Sequence, residues 1–431
     1  MIITHLKQAW QLLRQNKLFS TIYIVGTALA IASTTIFAII YYARLASVYP
    51  EYQKDRILTL STICYDSPRG DYQQFAPGVS NKAMTECFYH LKNAEAVSGY
   101  REQSSLSPVF APGRKSSFDI VMRLADPAYF NIINYEFLSG APFSQEEFDA
   151  GSQKAVISDR VANKLGLTPE QALGQSVNIG FVDYEICGVF REGRAINNLS
   201  YVQAVAPYTS NPNSLFSYPG CDVAGILSVL ILSNDEVAVR DEINEYFRKY
   251  ASAEMEGRKI NTFNQPRTAL KSALSINPEF EVDLTQIFRQ NFLILLTLLI
   301  VPALNLSGMI ASRMDSRMGE LGIRKSFGAS RGTLLSQVLW ENLWLTIIGG
   351  LLGLALTWII LSTNMASSFV AILPMANLLN DPSITVRFTA DMLFAPAIFG
   401  FTFLFCVLLN ILSALIPAYG ALRRPIVTSL K

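Results

Sequence analysis

Residues 290–330 read QNFLILLTLLIVPALNLSGMIASRMDSRMGELGIRKSFGAS. The first 23 residues carry no charge, whereas the last 18 carry Arg313, Asp315, Arg317, Glu320, Arg324 and Lys325. A second apolar run begins near Leu334 and continues through IIGGLLGLALTWIIL to about Leu361, with Glu341 as its one charge. An α-helix needs about 20 apolar residues to cross a bilayer. The stretch therefore predicts two membrane spans joined by a short, basic loop, and the rest of the chain has to say what meets that loop.

Two more stretches have the same character. Residues 18–43 (LFSTIYIVGTALAIASTTIFAIIYYA) contain no charge, and a fourth run lies between Asp391 and Arg423. Half of the 431 residues are hydrophobic and 16% are charged, too apolar for an ordinary soluble chain and too polar for one wholly inside lipid. Buried core helices are the bland alternative, and charge-free runs of this length argue against them. The first run is also too long for the apolar core of a cleaved signal peptide. Ahead of it, MIITHLKQAWQLLRQNK places Ile2, Ile3, Leu6, Trp10 and Leu13 on one helical face, the pattern of an interfacial amphipathic helix leading into an uncleaved anchor.

Short-loop charge sets the expected orientation. Lys7, Arg14 and Lys17 precede the first span; Arg313, Arg317, Arg324, Lys325 and Arg331 separate the second and third; Arg423, Arg424 and Lys431 close the chain. The loop between spans three and four has only Arg387. The positive-inside rule then puts both termini and residues 313–333 in the cytoplasm and the bulk of residues 44–289 outside. That outer region holds 23 Lys and Arg against 29 Asp and Glu, an acidic balance that excludes a nucleic-acid binder.

The outer region predicts an α+β domain. DRILTLSTICY reads as a strand, VSNKAMTECFYHLKN as a helix and AEAVSGYREQSSLS as a strand; downstream, GILSVLILS, NDEVAVRDEINEYFRKYASAE and RKINTFNQ repeat strand, helix, strand. Two such units at either end suggest one ferredoxin-like lobe. Between them SFDIVMRL, KAVIS, QSVNIGFVDYEICGVF and YVQAVAPY read as strands of a second α+β lobe inserted in the first, with DRVANKLG a helix after KAVIS. The predicted fold is an α-helical membrane protein with four transmembrane helices and this extracytoplasmic α+β domain between helices 1 and 2. Its segments are 1–44 (amphipathic helix and first span), 45–287 (outer domain) and 288–431 (transmembrane domain with the loop 313–333).

Enzyme chemistry finds no foothold. No GxxxxGK[ST] or HExxH occurs, and the two histidines, His5 and His90, are far apart. Cys64, Cys87, Cys187 and Cys221 could pair three ways or remain isolated packed thiols, and their spacing does not suit a metal site. The basic triplets GRK at 113–115 and 257–259 read as turns. Gly349-xxx-Gly353 in the third span has the spacing that permits close helix contact, a weak motif on its own.

The loop carries a family resemblance. RMDSRMGELGIRKSFGASRGTLLSQVLWENLWL resembles the cytoplasmic loop and following helix of the MacB-like/FtsX-like ABC permease superfamily. Its pattern is Arg317, then Glu320-Leu321-Gly322-Ile323-Arg324, then Gly328-Ala329-Ser330, then Glu341 early in the next helix. The amphipathic QAWQLLRQNK, the segment VMRLADPAYFNIINYEFLSGAPF and the ending IPAYGALRRPIVTSLK are similar to the family as well, so the resemblance covers essentially the whole chain. Ser316 stands where the family often has Glu, with Asp315 before it.

The resemblance implies a permease without a fused ATPase domain, not itself an enzyme and with no cofactor. It implies a bacterial inner-membrane protein working with a separate cytosolic ABC ATPase and a second permease copy or homologue. A membrane-fusion or other periplasmic protein and membrane lipids complete the implied partners. The implied function is transmission of ATP-driven motion to the outer domain for export or extraction of a periplasmic or membrane substrate. The alternative is a non-transporting regulator of an outer partner such as a cell-wall hydrolase. Arg317, Glu320, Leu321, Gly322, Ile323, Arg324, Gly328 and Glu341 are the implied ATPase-coupling residues: a short helix capped by Gly322 and Gly328 that offers both charge signs to a groove. The plain alternative for this loop is basic residues obeying the positive-inside rule.

Overall fold

The computed structural model describes residues 17–47, 49–67, 72–102, 106–110, 117–193, 199–274, 283–316, 319, 323–324, 326–363 and 396–423. The amphipathic helix expected over residues 1–16 and the loop expected between the third and fourth spans lie outside them. The chain divides into two compact units, an α+β unit containing Ala43–Leu284 and a helical unit built from segments on both sides of it.

Among the described residues the helical unit contains four long helices: α1 (Lys17–Leu45), α2 (Leu284–Ser316), α3 (Arg331–Ser362) and α4 (Pro396–Arg423). By length and composition Ser20–Tyr42 and Gly332–Ser362 can cross a membrane, and Phe399–Leu415 is a shorter apolar helix. α2 begins before Arg289 and runs past Arg313, so those charges lie on the helix and do not end it. Leu18, Leu29, Phe292, Leu351, Phe401 and Leu404 are all more than half exposed, whereas Tyr23, Ile31 and Ile39 of α1 are fully buried. An apolar exterior around a sparse buried core is what a lipid solvent permits, because lipid exacts no penalty for exposed Leu or Phe.

The glycine spacing in α3 is used. A Cβ on Gly349 would lie 2.9 Å from Thr27 Cβ and 3.0 Å from the Ile24 carbonyl oxygen, and one on Gly353 would lie 2.6 Å from the Ala28 oxygen. Gly350 meets Phe403 of α4 in the same way. α3 therefore packs backbone to backbone on α1, and the Tyr23 and Thr346 hydroxyls hydrogen-bond across that contact at 3.1 Å.

In the α+β unit, the described strands form one twelve-stranded sheet, a three-stranded sheet and a two-stranded ribbon. At one end of the large sheet the order is Arg267–Thr268, Ile57–Leu60, Ser228–Leu232, Ala96–Glu102, all antiparallel. Numbered along the chain, these four strands lie 4-1-3-2. The helix Asn81–Glu86 connects the first to the second, and Glu236–Glu254 the third to the fourth. The sheet then continues without a break. Ala96–Glu102 pairs with Met122–Ala125, and beyond it follow Ala204–Pro207, Lys154–Ser158, Val182–Phe190, Ser176–Ile179, Ser107–Phe110 and Ser117–Ile120.

Several local expectations need correction. SFDIVMRL is two strands, Ser117–Ile120 at the far edge of the large sheet and Met122–Ala125 in its interior, and QSVNIGFVDYEICGVF is a hairpin of Ser176–Ile179 and Val182–Phe190. DRILTLSTICY is two strands, Ile57–Leu60 in the large sheet and Ile63–Asp66 in the three-stranded one. Between them Gln265 accepts the Ser61 N–H at 2.8 Å and donates to the Thr62 carbonyl at 3.0 Å, so a distant side chain satisfies the backbone where the chain leaves the sheet. The helix expected over VSNKAMTECFYHLKN is Asn81–Glu86, with Ser80 as its N-cap, followed by a 3₁₀ turn at Phe88–His90. RKINTFNQ contributes only the two-residue strand Ile260–Asn261.

Ile57, Val156, Ile157, Val205, Leu230 and Ile231 are fully buried members of one apolar core in this unit. Residues 43–284 expressed alone should therefore unfold cooperatively in urea and resist protease. A sloping, non-cooperative transition would contradict an independent core.

Candidate functional site

Between α2 and α3 the described residues are Gly319, Ile323, Arg324 and Ser326–Ser330. Phe327 N–H donates to the Ile323 oxygen and Ala329 N–H to the Arg324 oxygen, both at 3.1 Å. Gly328, with φ +90°, lies between them in the left-handed region. That is a Schellman-type helix stop, whose left-handed position favours glycine. Ser330 then opens α3 at once, its hydroxyl accepting the Thr333 N–H at 3.2 Å. A helical turn is thus presented immediately before α3, with only Ala329 and Ser330 between the stop and the next helix.

Among the described side chains of the turn, two apolar ones are exposed and one polar one meets α3. Ile323 is half exposed and Phe327 is 87% exposed. Arg324 instead points to α3, where its Nη1 donates to Gln337 Oε1 at 2.7 Å. Gln337 Nε2 in turn donates to Glu341 Oε1 at 3.2 Å. Glu341 is buried, 5% exposed, beside a cluster in which Tyr23, Ile310, Met314, Leu334, Val338, Leu345 and Ala414 bring all four helices together.

Of the residues expected to couple to an ATPase, Arg324 and Glu341 are thus joined through Gln337, Ile323 is exposed, and Gly328 ends the turn. Arg317, Glu320, Leu321 and Gly322 lie outside the described residues. Sequence reasoning missed Gln337 and Phe327. Gln337 stands four residues before Glu341, a spacing that places both on one helix face, and that was the available signal.

The α+β unit has its own buried polar centre. Asp126 Oδ2 accepts the Tyr89 hydroxyl at 2.7 Å and the Gly99 N–H at 2.8 Å, and Oδ1 accepts the Tyr129 N–H at 3.2 Å. Tyr89 and Tyr208 hydroxyls meet at 3.1 Å, and Tyr208 donates to Asn81 Oδ1. Burial pushes the Asp126 carboxyl above its usual range although these hydrogen bonds pull the other way. All five cysteines are free thiols. Burial raises Cys87 to about 12 and Cys187 and Cys221 to about 11, which keeps them protonated and chemically quiet. Among the described residues no three His, Cys, Asp or Glu side chains are placed to hold a metal ion. The triplet at 257–259 is a turn, with Arg258 Nε bonded to the Met255 carbonyl oxygen.

Known proteins share both units. The family described as MacB-like periplasmic core domain matches residues 20–246, and that described as FtsX-like permease C-terminal matches residues 292–426. The chain belongs to the MacB/FtsX-like ABC permease family. The permease is 23% identical over 268 residues to the ABC transporter permease YknZ of Bacillus subtilis (strain 168), covering 62% of this chain and 64% of that one. It is 22% identical over 358 residues to the macrolide export ATP-binding/permease protein MacB 1 of Yersinia pestis bv. Antiqua (strain Antiqua), covering 82% of this chain and 52% of that one. The permease therefore spans between half and two thirds of the length of these relatives. The crystallised periplasmic region of MacB from Actinobacillus actinomycetemcomitans aligns with 48% of the permease and 88% of that chain, at 13% identity and a TM-score of 0.34.

Proposed function

We propose that this permease relays ATP-driven motion from a separate cytosolic ABC ATPase to its periplasmic domain. In this reading it works as a dimer with a second permease copy and exports or extracts a periplasmic or membrane substrate. The observation that carries the reading is the joint at Arg324. A turn that exposes Ile323 and Phe327 sits next to α3, tied by hydrogen bonds to the buried Glu341 where all four helices meet. A force applied to Ile323 and Phe327 has a stiff path into the helices. A loop serving only to hold positive charge inside would need neither the glycine stop nor the buried tie.

In the same reading all four long helices cross the membrane, both termini and residues 313–333 face the cytoplasm, and the 4-1-3-2 strands form a ferredoxin-like lobe into which a second α+β lobe is inserted. The asymmetry of the short loops supports the orientation, with eleven Lys and Arg on the proposed inner side and one on the outer.

Glu320→Lys tests the docking. Reversing a charge at a desolvated contact costs about 2–5 kcal/mol. The variant should lose ATPase co-purification, or retain it and hydrolyse ATP without function, while reaching the membrane at the normal level. Lys325→Ala should be mild, because a single Lys charge on a long flexible stem contributes little to a contact. Normal binding and normal coupled activity in Glu320→Lys would reduce residues 318–330 to a basic loop.

A further inference from the structure

We infer that Gln337 is the positioning residue through which the ATPase-docking turn moves α3, acting as a two-ended adaptor between Arg324 and Glu341. This rests on the coupling reading above and adds the joint to it. The chemistry of the site selects an amide. Arg324 offers only donors and Glu341, as a carboxylate, only acceptors, so the side chain between them has to accept on one side and donate on the other. Gln337 does both from one planar group, with Oε1 on Arg324 Nη1 at 2.7 Å and Nε2 on Glu341 Oε1 at 3.2 Å.

Substitutions at 337 follow from that requirement. A carboxylate there would accept from Arg324 and repel Glu341; an ammonium would do the reverse. Methionine keeps the length and packing and removes both bonds. Gln337 also sits where leverage is greatest. It lies in the second turn of a 32-residue helix, so a tilt imposed there is carried to Thr363, about 39 Å away at 1.5 Å per residue. Docking and movement are thereby separable: Ile323 and Phe327 face outward, whereas Gln337 is half-buried on α3 itself.

The test uses the full chain in membranes. The ABC ATPase that co-purifies with the wild-type chain is identified by mass spectrometry and co-expressed with each variant. A Thr363→Cys probe, in a background lacking the five native thiols, reports the ATP-dependent change in labelling rate at the far end of α3. Gln337→Met and Gln337→Glu should retain the ATPase at wild-type stoichiometry and lose the ATP-dependent change. Gln337→Glu combined with Glu341→Gln restores an acceptor toward Arg324 and a donor behind it, and should recover at least half of the wild-type change. A wild-type change in Gln337→Met overturns the joint, as does loss of the ATPase from that variant, which would make residue 337 part of the docking surface. If Gln337→Met is depleted from the membrane, the swapped pair decides: a recovered change supports the joint and an absent one overturns it. A wild-type chain that captures no ABC ATPase overturns the coupling reading itself, and the joint with it.

Discussion

Asp126→Ala should destabilise the isolated periplasmic unit by about 2–6 kcal/mol in urea unfolding at pH 7. The carboxylate satisfies the buried N–H groups of Gly99 and Tyr129, and each buried donor left unmade costs about 1–3 kcal/mol. Tyr89 loses its acceptor as well. The loss falls where the strand Ala96–Glu102 meets Met122–Ala125, the pairing that joins the 4-1-3-2 strands to the rest of the sheet. A change below 1 kcal/mol would mean that water or a neighbour replaces the carboxylate at no cost.

The same residue sets a pH dependence with a definite sign. Burial raises the folded pKa above the ordinary 3.8, so the folded chain keeps the proton at pH values where the unfolded chain has lost it. The protonation-linked part of the Asp126 contribution to stability is therefore greatest at acid pH and is lost as pH rises through the folded value, while the hydrogen bonds to Gly99 and Tyr129 remain. Asp126→Asn cannot titrate. The stability of wild type relative to Asp126→Asn should fall as pH is raised from about 4 toward neutrality. A difference that grows with pH would show that the hydrogen bonds outweigh burial.

Gly353→Leu should have the largest effect in the helical unit. A Cβ at 353 would meet the Ala28 carbonyl oxygen at 2.6 Å and Ile31 Cβ at 3.1 Å, and neither a backbone atom nor a Cβ can rotate away. Overpacking of this kind costs about 1–3 kcal/mol or more, and here it separates two helices along their whole contact. The purified chain should melt several degrees lower in detergent and accumulate poorly in the membrane, with Gly353→Ala between the two. Gly400→Leu is the control, because a Cβ there meets nothing within 4 Å. Equal melting of the two leucine variants would remove the α1–α3 contact as a source of stability.

Much of this protein was legible in its sequence. Hydropathy and charge are summed along a continuous run, so the apolar stretches at 18–43, 290–312 and 334–361 could be read before any contact was known. The family pattern around Glu320–Ser330 and Glu341 was likewise local. KAVIS came out residue for residue and GILSVLILS as the shorter Ser228–Leu232, because fully buried strands are unbroken apolar runs bounded by polar residues. The tertiary structure alone decided what each local feature meets. Gly349-xxx-Gly353 could have faced lipid, a second copy or any other helix, and it packs on α1. DRILTLSTICY scans as one strand, and a glutamine two hundred residues later divides it. Asp126 looks like any surface acid in the sequence, and Gln337 like a polar residue near a helix end. Their importance comes from partners on other elements and from the exclusion of water, and neither is a property of neighbouring residues in the chain.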